Sequence, residues 1–302
     1  MAHIGFLGVG AMGLGMAANL AKAGRRVVAF DVAPKALAAA RAAGCEAAAS
    51  AAEAVRNAET VITMLPAGAH VRQVYAEVVV AEAAQGALVI DCSTIDVESA
   101  RAVAKDAAAA GLRPADAPVS GGVAGAQSGA LTFMVGCEAG LFAAVQQQLS
   151  PMARAVVHAG AAGAGQAAKI CNNMVLGISM LGVCEAFALA EKLELAPERF
   201  FEIAAQSSGQ CWSLTSYCPW PGPVPAAPSN RGYEGGFLAA LMSKDLKLAQ
   251  EAAARTGAAT PLGAQAGALY ALFERLGHGG RDFSAVLQLL RGRLEDLPSV
   301  DI

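Results

Sequence analysis

A short apolar run, His3–Leu7, passes through Gly8-Val9-Gly10-Ala11-Met12-Gly13 into a helical pattern over Gly13–Ala23. This junction restricts the fold more than any other feature. Gly8 permits the tight turn, Gly10 leaves the backbone open to a phosphate, and Gly13 lets the helix pack on the strand. The N–H groups left free at the helix start, with the helix dipole, favour a negatively charged guest. Asp31 closes the second strand candidate, 18 residues beyond Gly13. A carboxylate there accepts a ribose 2′-OH and repels a 2′-phosphate. No arginine follows it closely, so NAD is expected rather than NADP, held by Gly8, Gly10, Ala11, Met12, Gly13 and Asp31. The bland alternative is a glycine turn at an ordinary strand–helix junction.

The alternation continues down the chain. Further strand candidates are Arg26–Phe30, Thr60–Met64, Ala87–Asp91, Arg113–Asp116, Leu131–Val135 and Val156–His158, interleaved with Ala- and Leu-rich stretches such as Pro34–Ala43 and Asp96–Ala110. Strand–helix–strand order with short turns predicts a parallel, doubly wound sheet. Near Gly160 the pattern changes, and almost no strand signal follows. An apolar stretch from Gln166 to about Leu193, roughly 28 residues, spans about 42 Å as one helix. The five prolines of Cys218–Pro228 exclude that stretch from helix and sheet interiors. Helical pattern resumes at Phe237–Thr256, Leu262–Leu276 and Phe283–Arg293, and the charges near the end of the chain read as solvated. The expected division is an α/β domain over 1–162 and an all-helical domain over 163–302.

Among 302 residues, 16% are charged and the net charge is -3, which argues against a nucleic-acid or membrane surface. No apolar run of about 18 residues is free of breakers, so no membrane-crossing helix is expected. Seven scattered cysteines without C-x-x-C spacing read as reduced thiols, and four histidines outside ligand spacing predict no metal site. The opening of the chain shows no targeting pattern, so either a bacterial-type, cytoplasmic protein or one whose presequence has been removed is expected.

Leu65-Pro66 and Asp91-Cys92-Ser93-Thr94-Ile95 follow the third and fourth strand candidates, at the carboxyl ends where open α/β sheets bind ligands. Leu65 and Thr94 are placed toward the nicotinamide half; His70 either touches the cofactor or lies on the surface. Asp116-Ala117-Pro118-Val119-Ser120-Gly121-Gly122 is a second glycine-rich turn. Its successive N–H groups suit a small carboxylate, and Ser120 adds a hydroxyl. Lys169 and Asn173 stand four apart on the long helix and share a face. A lysine among Ala167, Ala168 and Ile170 enters an apolar setting, which lowers its pKa from about 10.4 and makes it a usable proton shuttle. Lys244 is a second cation; Asp245 either neutralises it or ties its helix to the site.

Together these segments resemble the β-hydroxyacid dehydrogenases over essentially the whole chain. The resemblance is carried by Gly8–Asn19 (GVGAMGLGMAAN), Asp91–Ile95 (DCSTI), Asp116–Gly122 (DAPVSGG), Leu131–Gly136 (LTFMVG), Gly165–Asn173 (GQAAKICNN), Ser207–Trp212 (SSGQCW) and Leu241–Ala249 (LMSKDLKLA). The Ser207–Trp212 and Trp220-Pro221-Gly222 segments are similar to the hydroxyisobutyrate branch rather than the glyoxylate-reducing or phosphogluconate branches. The resemblance implies a Rossmann-type N-terminal domain with a predominantly parallel sheet, an all-α C-terminal domain, and a substrate cleft between them. It makes Lys169 the general acid/base and has Asn173 orient the substrate or the lysine. It assigns the substrate carboxylate to Ser120, Gly121 and Gly122, and the cofactor to Leu65, Pro66, Thr94 and Lys244. Trp212 and Phe237 then wall the substrate side, with Asp245 assisting. Gly15 stands where the family commonly has proline, and Val97, Ala130 and Cys137 also depart from its usual pattern, which puts local rigidity in question.

The implied reaction is NAD-linked oxidation of 3-hydroxyisobutyrate to methylmalonate semialdehyde, as in valine breakdown, by a homodimer or homotetramer. The alternatives are another small β-hydroxy acid substrate (serine, tartronate semialdehyde, 4-hydroxybutyrate) or a non-catalytic NAD-binding module.

Overall fold

The computed structural model describes residues 3–297, and the chain divides after Lys169 into two compact units. Among the described residues the first holds nine strands: β1 Ile4–Leu7, β2 Val27–Phe30, β3 Glu46–Ala47, β4 Thr60–Thr63, β5 Leu88–Asp91, β6 Arg113–Asp116, β7 Val119–Ser120, β8 Leu131–Gly136 and β9 Ala153–Gly160. They form one sheet in the order β3-β2-β1-β4-β5-β6-β8-β7, with β9 beside β8. The pairs from β3 to β6 are all parallel. Only β8 runs antiparallel to its neighbours β6 and β7, and it is parallel to β9. This is the parallel sheet that the alternation predicts and the predominantly parallel, Rossmann-type domain that the family resemblance implies.

Strands β1 (IGFL), β4 (TVIT) and β5 (LVID) are buried throughout, as central strands of a parallel sheet are when both faces are covered. Successive side chains enter opposite layers: Phe6, Ile62 and Ile90 join one apolar cluster, and Leu7, Val61 and Val89 the other. The two-residue strands β3 and β7 and the short helices Ala51–Val55, Gly68–Val74, Gly122–Ser128 and Phe142–Leu149 are absent from the sequence-based expectation. Each is too short to express a period.

The glycine at position 15 has a packing reason. A Cβ there would lie 2.8 Å from the carbonyl carbon of Ala126. Asn19 Nδ2 meanwhile donates to the carbonyls of Gly15 at 2.9 Å and Ala126 at 2.7 Å. Gly15 therefore lets Gly122–Ser128 press directly against the helix Gly13–Lys22. Close packing, rather than slack, accounts for the departure from proline.

The second unit is helical, and among the described residues its strand-like pairing is a single bridge between Leu238 and Asp282. The helix Ala164–Lys192 enters it from the first unit. Phe187, Met242, Leu246, Tyr270, Phe273 and Phe283 are fully buried in its core. The proline-rich stretch is pinned from beneath: Tyr233 Oη donates to Pro219 O at 2.9 Å, and Ser229 Oγ to Cys218 O at 2.8 Å.

Two expectations are corrected here. The C-terminal charges are not all solvated. Arg291 forms a bidentate pair with Glu191 at 2.9 and 2.7 Å and lies 4.4 Å over the Trp220 ring. A guanidinium offers both a planar fork and a stacking face, and the late position of Arg291 in the chain conceals that use. Residues 298–302 lie outside the described residues. Second, Ala164–Lys192 is long and apolar enough to cross a bilayer by length and composition alone; its isolated polar residues are too few to count as breakers. Gln166, Lys169 and Asn173 on it are buried against protein partners, and it is a core helix.

Candidate active site

In the first unit, the strand ends of the sheet assemble the loops named from the sequence. Gly8 has φ +91, and a Cβ there would meet Met64 O at 2.3 Å; one on Gly13 would meet Gly8 O at 2.0 Å. Gly10, by contrast, faces open space, with nothing within 4 Å of its Cβ position. Two glycines thus close the turn while the third leaves the backbone approachable, beside the N–H groups of Ala11 and Met12 at the entry to the helix Gly13–Lys22, where the positive end of its dipole lies. These residues fit a pyrophosphate. The Asp31 carboxylate accepts Val9 N–H at 2.9 Å and Ala33 N–H at 2.8 Å, which fixes it beside the loop.

Asp91, at the end of β5, accepts Thr63 Oγ1 at 2.7 Å and Ser93 Oγ at 2.6 Å, and Ser93 Oγ accepts Leu65 N–H at 2.8 Å. The Leu65-Pro66 and Ser93–Ile95 loops are therefore one hydrogen-bonded assembly. Thr94 stands half-exposed at its tip. Gln166, wholly buried, accepts Ile95 N–H at 3.1 Å and donates to Ser93 O at 2.7 Å, gripping the backbone on both sides of Thr94. His70 lies exposed on Gly68–Val74.

Asp116, at the end of β6, stands directly opposite Asp91 in the strand register. Burial raises its carboxyl to about 6, a shift reinforced by the Asp91 charge and opposed by hydrogen bonds from Gly163 and Gln166. Ser120 follows, paired with Thr132. Gly121 (φ +131) and Gly122 (φ +62) then turn the chain through conformations that disfavour a side chain. Lys169 is only 6% exposed, and its Nζ donates to Val119 O at 2.8 Å, next to that turn.

In the second unit, Asn173 Nδ2 donates to Asp245 Oδ2 at 2.5 Å, joining Ala164–Lys192 to the helix Ala239–Thr256, which also carries a half-buried Lys244. Trp212 is 52% exposed and stacks on Tyr217 at 4.8 Å. Tyr217 and Phe237 both contact the Phe283 ring. Buried Asp282 accepts Tyr217 Oη at 2.7 Å and Phe237 N–H at 2.8 Å, so one carboxyl group fixes both aromatic residues. Burial pushes the Asp282 carboxyl up, against the hydrogen bonds it accepts. Asp116, Gln166, Tyr217 and Asp282 went unassigned from the sequence. A lone glutamine one turn before Lys169 on an apolar helix was the readable clue; the others are visible only through their partners. Among the described residues no group of three or more His, Cys, Asp or Glu is placed to hold a metal ion.

Residues 3–160 match a family described as the NAD-binding domain of 6-phosphogluconate dehydrogenase, and residues 163–290 one described as the NAD-binding region of NADP-dependent 3-hydroxyisobutyrate dehydrogenase. Both descriptions are of NAD-binding regions, the second within an NADP-dependent enzyme. A 3-hydroxyisobutyrate dehydrogenase of Pseudomonas aeruginosa is 50% identical, over 97% of this chain and 100% of its own. An NAD-dependent L-serine dehydrogenase from the same organism is 47% identical, over 96% and 98%. A solved structure of Mycobacterium tuberculosis 3-hydroxyisobutyrate dehydrogenase with L-serine superimposes with a TM-score of 0.93 at 49% identity, covering 96% of this chain and 99% of that one.

Proposed function

The chain belongs to the β-hydroxyacid dehydrogenase family of NAD-binding oxidoreductases, and on that premise we propose that it oxidises 3-hydroxyisobutyrate to methylmalonate semialdehyde. The observation that carries the mechanism is the buried Lys169, with Nζ 2.8 Å from the carbonyl of Val119, one residue before the Ser120–Gly122 turn.

Ser120 and the N–H groups of Gly121 and Gly122 hold the substrate carboxylate. Lys169, neutral as base, takes the hydroxyl proton; its ammonium returns the proton in the reverse direction. When bound, NAD supplies the hydride acceptor. Gly8–Gly13, Asp31, Leu65, Pro66, Thr94 and Lys244 hold that cofactor, with Asp31 favouring it over NADP. Asn173, held by Asp245, orients the substrate or the lysine, and Trp212 and Phe237 shield the substrate side. Orientation of this kind supplies much of the rate. The domain division at 162/163, a cytoplasmic location and a homodimeric or homotetrameric state complete the reading.

A second reading, L-serine as substrate, is favoured by the serine dehydrogenase relative and the serine-bound structure of another. Both acids carry a hydroxyl two carbons from the carboxylate carbon, so the turn and the lysine serve either. The deciding measurement is NADH formation across 3-hydroxyisobutyrate, L-serine and 4-hydroxybutyrate, with tartronate semialdehyde in the reductive direction and NADP as the cofactor control. The highest kcat/KM identifies the substrate. NAD binding without turnover of any of these acids would instead mark a non-catalytic module.

A further inference from the structure

At the start of the helix that carries Lys169, Ala164 N–H bonds locally to Ala161 O at 2.9 Å. Two further donors at this start, Gly163 N–H and Gln166 N–H, are satisfied from β6. The Asp116 carboxylate accepts Gly163 N–H on Oδ1 at 2.6 Å and Gln166 N–H on Oδ2 at 2.9 Å. A negative charge at a helix N-terminus is stabilised by the aligned peptide dipoles, and here it reaches the helix from a neighbouring strand. The fit admits nothing larger than hydrogen at two positions. A Cβ on Gly136 would lie 2.3 Å from Asp116 Oδ1, and one on Gly165 would lie 2.2 Å from Met134 O and 2.7 Å from Asp116 Oδ2.

Gln166 then uses its side chain on a different loop, accepting from Ile95 N–H and donating to Ser93 O. Both functions are needed at once; an amide supplies an acceptor and a donor together, whereas an ionised carboxylate of the same shape supplies acceptors alone. Three residues on, close to one helical turn, Lys169 reaches Val119 O. The helix start is thereby tied to the loop around Thr94, to the end of β6, and through Lys169 to the strand leading into Ser120.

We infer that Asp116 and Gln166 are positioning residues for the dehydrogenase reaction, fixing the rotation and height of the Lys169 helix against the Ser93–Ile95 and Val119–Gly122 loops. This rests on the reading of Lys169 as acid/base. Loss of either tie leaves the helix formed but lets the ammonium drift. A displacement near 1 Å can cost on the order of 10² in rate.

The test compares Gln166→Glu, Gln166→Leu and Asp116→Asn with wild type, using NAD and 3-hydroxyisobutyrate, and repeats Gln166→Glu in a Lys169→Ala background. The expected result is a fall in kcat of about ten- to 100-fold with KM for NAD changed less than about threefold. Gln166→Glu keeps the acceptor for Ile95 and nearly the same volume, so it answers the question if the other two fail to fold. Its loss should largely vanish in the Lys169→Ala background, because a residue acting through the lysine has nothing left to position; a purely structural defect would add in full and overturn the proposal. A folded Gln166→Glu enzyme within about threefold of wild-type kcat also overturns it. Should Lys169→Ala itself cost less than about tenfold, the acid/base reading fails first and takes this proposal with it.

Discussion

The Asp31 carboxylate accepts the Val9 N–H at 2.9 Å, so the acid at the end of β2 is locked to the glycine loop at the end of β1. A negative charge held there has little freedom to move from a 2′-phosphate. Replacing Asp31 by Ser is expected to shrink the ratio of kcat/KM for NAD over NADP by at least about tenfold, by removing repulsion on one side and ribose acceptors on the other. An unchanged ratio would show that the cofactor preference is set elsewhere.

Lys169→Ala should lower kcat by about 10² or more, since general acid–base transfer contributes that much. NAD binding, followed by fluorescence titration, should be preserved. A loss smaller than about tenfold would remove the lysine from the chemistry.

Asp245→Ala leaves the buried Asn173 amide facing a lost acceptor. An unsatisfied buried donor costs about 1–3 kcal/mol. Urea denaturation should therefore show a lower midpoint, and activity should fall further than stability alone explains if Asn173 orients the reacting groups.

Gly15→Ala should destabilise the protein by about 1–3 kcal/mol through overpacking, because the added Cβ meets backbone, not a yielding side chain, at Ala126 and Gln127. A thermal midpoint equal to wild type would mean the two helices separate at little cost.

Asp116 titrates near 6 when folded, against 3.8 ordinarily. The folded protein thus holds this proton more tightly than the unfolded chain. The resulting stabilisation is fully present below about pH 4 and is lost as pH rises through about 6, an effect of about 3 kcal/mol at most. Relative to Asp116→Asn, the wild type should gain stability on acidification from about pH 7 to about pH 4. A pH-independent difference would contradict the raised value.

By itself the sequence determined the elements whose signals are local. The glycine loop and Asp31 announced the dinucleotide, the parallel sheet was readable from the alternation of runs, and Lys169 stood out as a charge among the apolar residues at the start of a long helix. Fold class and cofactor follow from such patterns because backbone conformation and burial periodicity are properties of neighbouring residues. Tertiary structure alone decided what holds those parts in place. Asp116 reaches Gly163 and Gln166 across 47 and 50 residues, and Gln166 reaches Ser93 and Ile95 across 73 and 71. Tyr217 meets Asp282 across 65. No period links such pairs. A buried carboxylate or amide must find its partners wherever the chain has folded back to supply them, and their identity emerges only once the strands and helices have packed.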